Sequence, residues 1–235
     1  VEAWHKTRKT QTHLVQPEHP EVAPVTIFDR SSEDRYNDPG SPLKKTNSSG
    51  RSVLMLSEDQ QSIFLEGAGA TAQGERPFLD RMNLASKQTQ RLFQSEAPFY
   101  EKPVRLLDAS AKQMLTTRES ADTPPNLWLR QLGNAQTEKL QSFSLTDFKH
   151  PAPQLAGVTK QILRYKRSDG VDLTGTLYTP PGYNKEKDGR LPVFVWAYPG
   201  EFKNAASAGQ IKGSPYKFIR PWWGGPLFFA MRGYA

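Results

Sequence analysis

The sequence predicts two parts of different class: four-stranded antiparallel β-propeller blades over residues 1–143, and the opening elements of an α/β domain over 159–235. Three observations predict it. A set of four strand-like segments occurs twice in matched register, the composition changes after Phe143, and a single unbroken apolar run, LPVFVWAY from Leu191 to Tyr198, stands between polar loops in the C-terminal part.

The repeat appears when Val53–Phe93 is laid over Val104–Gln141. The first copy reads SVLMLS from Ser52, SIFLEG from Ser62, PFLDRMNL from Pro77 and TQRLFQS from Thr89. The second reads PVRLLD from Pro103, QMLTTRES from Gln113, PNLWLRQL from Pro125 and TEKLQSF from Thr137. Val53, Leu56 and Ile63 match Val104, Leu107 and Met114 at an offset of 51, whereas Leu84, Thr89 and Leu92 match Leu132, Thr137 and Leu140 at 48. The difference falls in GAGATAQGERP, residues 67–77, a glycine-rich polar loop of the kind that tolerates insertion. An earlier pair, THLVQ from Thr12 and VTIFDRS from Val25, reads as strands three and four of a preceding blade. Short antiparallel strands repeating at this period indicate blades that bury their faces on their neighbours, with an antiparallel sandwich as the alternative. A propeller closes with about four to eight blades. Two and a half blades do not make a ring, so the rest are expected on the N-terminal side.

Residues 144–158, SLTDFKHPAPQLAGV, lack the repeat pattern and read as an interdomain linker. Beyond them KQILRYKR and VDLTGTLYTP flank Ser168-Asp169-Gly170, a hairpin turn. LPVFVWAY, nearly all apolar and rich in β-branched and aromatic residues, reads as a strand buried on both faces. A polar and aromatic excursion follows, and then a short helix is expected over 226–232, with Pro226 at its start and Gly233 just past its end. Hairpin, buried strand, long loop, helix and next strand is the order in which an α/β-hydrolase sheet begins.

Composition excludes several classes. The net charge of +7 comes from scattered cations interleaved with acids, with no cationic run, so no nucleic-acid surface is expected. There is no cysteine, hence no disulfide or thiolate chemistry. The longest apolar stretches fall far short of the ~20 residues a membrane helix needs. VEAWHKTRKT has no apolar core of a secretory signal, and the compartment stays open between periplasm, organelle and cytoplasm. His13 and His19 are poorly spaced for a metal, without a supporting carboxylate or thiolate set, and no metal site is expected. Trp222 and Trp223 either line a cleft or anchor the long loop.

The segments EDRYNDPGSP from Glu33, GERPFLDR from Gly74, RYKRSDGVDLTGTLYTPPGY from Arg164 and WAYPGEFKNAASAGQIKGSP from Trp196 resemble the prolyl oligopeptidase family, above all its glutamyl endopeptidase branch. The resemblance covers both parts. It implies a serine peptidase whose propeller caps a hydrolase site and admits peptides while excluding folded proteins. It also implies that Tyr198, ending the apolar strand, donates its hydroxyl to the oxyanion hole, as against packing at a strand end. No G-x-S-x-G occurs, and His5, His13, His19 and His150 all precede the second part, so no triad residue is assigned and the piece alone is expected to be inactive. If substrates are cut after Glu, a cation must meet their carboxylate; Arg220 and Lys217 are the candidates. No cofactor is implied. The expected partners are a peptide substrate and the remainder of the same polypeptide, with self-association through unpaired strand edges open. The alternatives are a non-catalytic propeller binding module and an esterase or acylaminoacyl hydrolase on the same fold.

Overall fold

The computed structural model describes residues 1–133, 141–197 and 200–235. Among the described residues, its N-terminal part contains three antiparallel sheets of three or four strands, besides two short two-stranded hairpins. The first has Lys9–Leu14 between Glu2–Trp4 and Val25–Ser31. Two of these strands correspond to the expected earlier pair, the first lying three residues before the expected start at Thr12; Glu2–Trp4 is too short to show a pattern. The second sheet runs Thr89–Gln94, Phe78–Asn83, Ser62–Gly67 and Ser41–Pro42 in spatial order. The third runs Tyr100–Leu106, Gln113–Glu119, Asn126–Gln131 and Ser142–Ser144 in chain order. Most of the expected strand from Thr137 lies outside the described residues.

One strand of the second sheet differs from expectation. SVLMLS does not form a continuous edge: Ser52–Leu54 pairs with Lys44–Thr46 in a separate hairpin. The edge position is shared by two segments, Ser41–Pro42 against Glu66 and Leu65, and an isolated bridge from Leu56 to Ile63. The cause is the turn TNSSGR. Asn47 Oδ1 accepts from the amides of Ser49 and Arg51 at 3.0 and 2.9 Å, which closes the hairpin and diverts the chain from the edge.

Alternation on the second sheet builds two cores. Phe64 and Leu79 face the third sheet and meet Leu106 and Met114, with Met55, Phe93 and Leu132 completing the cluster. Ile63, Leu65 and Met82 face the other way and pack on Ile27 and Phe28 of the first sheet. Adjacent residues of one strand thus serve opposite neighbours, as the period of two requires. Stacked four-stranded sheets with a two-sided middle member are the arrangement of propeller blades. A buried ion pair lies in the third sheet: Arg130 donates to both oxygens of Glu101 at 2.8 and 2.6 Å, and Thr116 Oγ1 adds a bond at 2.7 Å.

In the C-terminal part Thr159–Lys166 and Asp172–Thr179 pair along their whole length, from Thr159 with Thr179 to Lys166 with Asp172. The turn is the expected one, with Gly170 at φ +86° and Asp169 Oδ1 accepting from Val171 N at 3.3 Å. A third, small core gathers Leu155, Val158, Ile219, Leu227 and Ala230. The helix is shorter than expected, Leu227–Ala230, with Pro226 capping it and Gly233 at positive φ beyond it.

The apolar run departs most from expectation. Residues 191–197 are not a regular strand, and Val195 is 80% exposed. Yet the segment has one strand partner: Phe194 N donates to Ala235 O at 2.8 Å, and Ala235 N donates to Pro192 O at 2.9 Å. These are the paired slanted bonds of a parallel ladder centred on Val193. The Leu227–Ala230 helix lies in sequence between the two bonded segments. A strand buried on both faces needs neighbours on both edges and layers over both faces. Among the described residues only Ala235 pairs with it, so its apolar side chains stay exposed.

Candidate active-site region

The most specific sequence segments come together in space. The loop after residue 199 leaves the apolar run, makes a short helix at Ala205–Ala208 capped by Asn204, and returns through Gly213. The Asp34–Tyr36 turn and the β-hairpin arm around Glu75, both in the blade part, receive it. Glu33 accepts from Lys203 N with both oxygens, at 3.1 and 3.0 Å, and from Arg8 Nε at 3.1 Å. Gln210 Oε1 accepts from the amides of Arg35 and Tyr36 at 2.6 and 3.3 Å, while Gln210 Nε2 donates to Asp34 Oδ1 at 2.9 Å. Tyr36 Oη accepts from Ile211 N at 3.0 Å, and Glu75 N donates to Gly213 O at 2.8 Å. Arg35 closes the set with a 2.6 Å ion pair to Glu75. Of these, the bonds to the Glu33, Asp34 and Glu75 carboxylates are charge-assisted, a type worth about 1.5–3 kcal/mol when shielded from water.

The other side of the loop presses on the hairpin. A Cβ at Gly209 would meet Asp172 Cβ at 2.8 Å, and one at Gly74, whose φ is +122°, would meet Pro215 Cδ at 2.9 Å. Only glycine lets the chain approach this closely. Between loop and hairpin lies an open cavity of about 770 Å³, lined by Tyr165, Leu173, Phe202, Lys203 and Ile211 among others.

A second group of charges sits where the third sheet meets the C-terminal part. Burial pushes the Glu119 carboxyl up, against the pull of Lys217, Arg220 and Lys160. Burial also lowers Lys160 to about 8, opposed by Glu119 and assisted by the like charge of Lys217. The Lys160 ammonium donates to the Lys217 carbonyl. Burial first, then the carboxylates of Glu75 and Glu119, hold the Tyr100 phenol well above its ordinary range. Lys217 is exposed, with its ammonium 5.4 Å from the Tyr100 ring centre. Arg220 is exposed beside a shallow groove lined by Pro124, Pro125, Phe148 and Phe218. Neither cation lines the large cavity, so the two features occupy different places.

Tyr198 lies outside the described residues. The segment that precedes it carries an aromatic cluster: Phe194 stacks on Phe229 at 4.1 Å, and Trp196 meets Trp222 edge-on at 6.2 Å. The Trp222 ring fills the space over Gly224 and Gly225, where an added Cβ would come within 2.5 Å. Trp222 thus packs on its own turn while remaining 49% exposed, and Trp223 is 95% exposed. Ser207 and Ser214 are buried, and His150 stands edge-on to Phe218 at 4.9 Å, so no serine and histidine meet in this region among the described residues. His13 binds Thr26 Oγ1 and His19 binds Glu21, each at 3.2 Å. Among the described residues no three metal-ligating side chains converge. Reasoning from residue types alone missed Glu33, Asp34, Tyr36 and Gln210. They stand inside the quoted segments, but no local pattern shows that 33–36 and 203–211 meet.

Comparison with known proteins adds the following. The chain is 42% identical, over its whole length, to a rice protein (Oryza sativa subsp. japonica) named "Probable glutamyl endopeptidase, chloroplastic". It is 39% identical over 92% of its length to the Arabidopsis thaliana protein of the same name. The chain spans about a quarter of these relatives, 26% and 23% respectively. No known protein-family profile matches. Among solved structures, a Bacteroides ovatus protein assigned as a dipeptidyl aminopeptidase IV superposes on 83% of this chain and 28% of its own, with a TM-score of 0.50 and 15% identity. At that identity the likeness speaks for the fold alone: propeller blades followed by the opening of an α/β-hydrolase domain, which is the architecture of this chain.

Proposed function

We infer that the chain belongs to the prolyl oligopeptidase family of serine peptidases, in its glutamyl endopeptidase branch, and that the full-length protein cleaves peptides by acyl transfer. The observation that carries this is the 42% identity that runs through both parts of the chain, including the loop held between blades and hairpin. In this reading a serine attacks the scissile carbonyl, a histidine takes and returns the proton, and an acid orients the histidine. This sequence has no G-x-S-x-G, so those three groups come from outside it.

The role proposed within this chain is that of Tyr198. Its hydroxyl donates to the oxygen that becomes negative as the tetrahedral intermediate forms. A donor aimed at that charge lowers the barrier by about 2.7–4 kcal/mol. The reading is supported by the pair of parallel-type backbone bonds between Pro192–Phe194 and Ala235, because α/β sheets bear their sites at the carboxyl ends of parallel strands and Tyr198 follows that segment in sequence. Lys217 and Arg220 are proposed to meet the carboxylate of a Glu substrate. Both are exposed cations near the junction of blades and hydrolase part, and a carboxylate leaving water needs such a partner.

A fluorophosphonate probe tests the class. The full-length protein should label covalently and hydrolyse Glu-containing peptides, and residues 1–235 alone should not label. A full-length protein that is folded yet inert to the probe would reject the reading. For specificity, Arg220→Ala and Lys217→Ala should each reduce turnover after Glu more than after Leu; an unchanged Glu-to-Leu ratio in both rejects these cations.

A further inference from the structure

Arg8, Arg35, Arg91 and Arg130 of the blade part are each paired with a carboxylate. Arg118 is not. Among the described residues no acid pairs with it, and its Nε is buried without a hydrogen-bond partner. It lies instead against two rings, its Cζ 3.6 Å from the centre of Phe99 and 4.8 Å from that of Trp128. Strand register explains the contact: Arg118 pairs with Asn126 and Thr116 with Trp128, so Arg118 and Trp128 are diagonal neighbours on one face. Glu101, opposite Arg118 in the other adjoining strand, is already bound by Arg130 and Thr116. The guanidinium borders a cavity of about 210 Å³, whose wall includes Phe99, Trp128, Asn126, Ser144 and Thr146. The polar wall residues are spent on one another and on nearby backbone: Asn126 Oδ1 accepts from Thr146 Oγ1 and Phe148 N, Asn126 Nδ2 donates to the carbonyls of Pro124 and Phe148, and Ser144 Oγ donates to Thr146 O. The wall is fixed while its cation is unspent. Two acids also border the cavity. Asp147 pairs with Lys149, and Glu119, next to Arg118 in the strand, turns to the opposite face, where Lys217, Arg220 and Lys160 attract it. This end of the strand leads into the junction with the C-terminal part, since Ile219 N donates to Ala121 O at 3.0 Å.

We propose that Arg118, held against Phe99 and Trp128, binds a carboxylate of a peptide in the cavity at the end of the third sheet. The proposal rests on the reading that the full-length protein takes peptides. A guanidinium stacked on aromatic rings is oriented without spending its N–H groups, so its planar fork stays available to both oxygens of a carboxylate. Burial lowers the Arg118 guanidinium from its ordinary range, against the pull of Glu101 and with the push of Arg130, so an anionic partner relieves a cost already present. A single negative charge suits the site better than a phosphate dianion, because one cation stands there with Asp147 and Glu119 close by. Two sources carry this chemistry: the side chain of an acidic residue and the free C-terminus of a short peptide.

The test is isothermal titration of the full-length protein, with the serine that a fluorophosphonate probe labels replaced by alanine so that no turnover occurs. Three N-acetylated peptides of otherwise equal sequence are compared: one with Glu and an amidated end, one with Gln and a free end, and one with Gln and an amidated end. At least one carboxylate peptide should bind roughly ten- to a hundred-fold tighter than the uncharged one, and whichever binds tighter identifies the source. Arg118→Met should remove that preference and leave the affinity for the uncharged peptide within about two-fold. Arg118→Lys keeps the charge but not the planar fork and should lose most of the preference. Thermal melts in parallel show which variants are folded. A preference that Arg118→Met leaves intact overturns the proposal; if Arg220→Ala or Lys217→Ala removes it instead, the peptidase reading stands and carboxylates are met at those cations. Equal weakening of all three peptides by Arg118→Met also overturns it, because Arg118 then serves packing alone. Equal binding of all three by the protein with Arg118 intact overturns it too, as when an acid from the rest of the polypeptide fills the cavity. Should Arg118→Met not fold, Arg118→Lys decides by the same comparison. If no serine labels, the peptidase reading falls, and the same titration of the unaltered protein still decides on Arg118.

Discussion

Glu33→Ala in the full-length protein isolates the grip of the blade part on the loop. The Glu33 side chain is 9% exposed and holds the Lys203 amide at 3.0 and 3.1 Å and Arg8 Nε at 3.1 Å. A hydrogen bond from a neutral amide to a shielded carboxylate is worth about 1.5–3 kcal/mol. Arg8 loses its 3.1 Å pair with Glu33 in the same variant but keeps Glu201 at 3.8 Å. Local opening of the loop should become easier by about 2 kcal/mol, which is roughly 30-fold in an opening equilibrium. Amide hydrogen exchange reads this directly when reclosing is fast. The Lys203 amide should exchange roughly 30-fold faster in the variant, the Ile211 amide should follow because the loop opens as a unit, and amides of the Phe78–Asn83 strand should not change. Glu33→Gln keeps an acceptor for Lys203 and should raise the rate only about five-fold. Equal exchange of Lys203 in all three proteins would refute the claim that the blades hold this loop.

Three further perturbations test other parts of the account. Phe64 is fully buried between the second and third sheets, so Phe64→Ala should cost about 3–5 kcal/mol in chemical denaturation; a loss under about 1 kcal/mol would mean that the two sheets do not share a core. Arg130→Ala leaves the Glu101 carboxylate buried without its partner and should cost about 3–5 kcal/mol, whereas Arg130→Met with Glu101→Leu should be close to neutral; equal losses would show that the pair itself stabilises. Lys160, pulled down to about 8 by burial, holds its proton less firmly folded than unfolded, where lysine titrates near 10.4. Its burial penalty is thus complete below pH about 8 and relieved as pH rises toward 10.4, so Lys160→Met should gain most over the native protein near pH 7 and progressively less by pH 10. A pH-independent difference would reject the buried-ammonium account.

Much of the fold is legible in the sequence because it is carried by local rules. Ser62–Gly67, Phe78–Asn83, Thr89–Gln94 and Gln113–Glu119 run for six or seven residues and sit where the repeat requires. The 159–179 hairpin is announced by its turn, and Gly170 supplies the positive φ it needs. Legibility fails where partners are distant or hairpins compete. Ser52–Leu54 has the composition of a blade strand but is captured by Lys44–Thr46 across a tight asparagine turn. The run 191–197 has the composition of a buried strand, but burial depends on neighbours, and only Ala235 pairs with it among the described residues. The grip of the 33–36 segment on Lys203, Gln210 and Ile211 spans some 170 residues of sequence, as the Lys203–Glu33 separation of 170 illustrates, and no periodicity reports such a contact.

The role proposed for Tyr198 is donation of its hydroxyl to an oxyanion. Steady-state kinetics of Tyr198→Phe in the full-length enzyme, on a peptide cut after Glu, tests it most directly. Loss of the hydroxyl alone should lower kcat by roughly 10²–10³-fold with KM little changed and probe labelling of the nucleophile slowed. A variant that turns over at the native rate would contradict it.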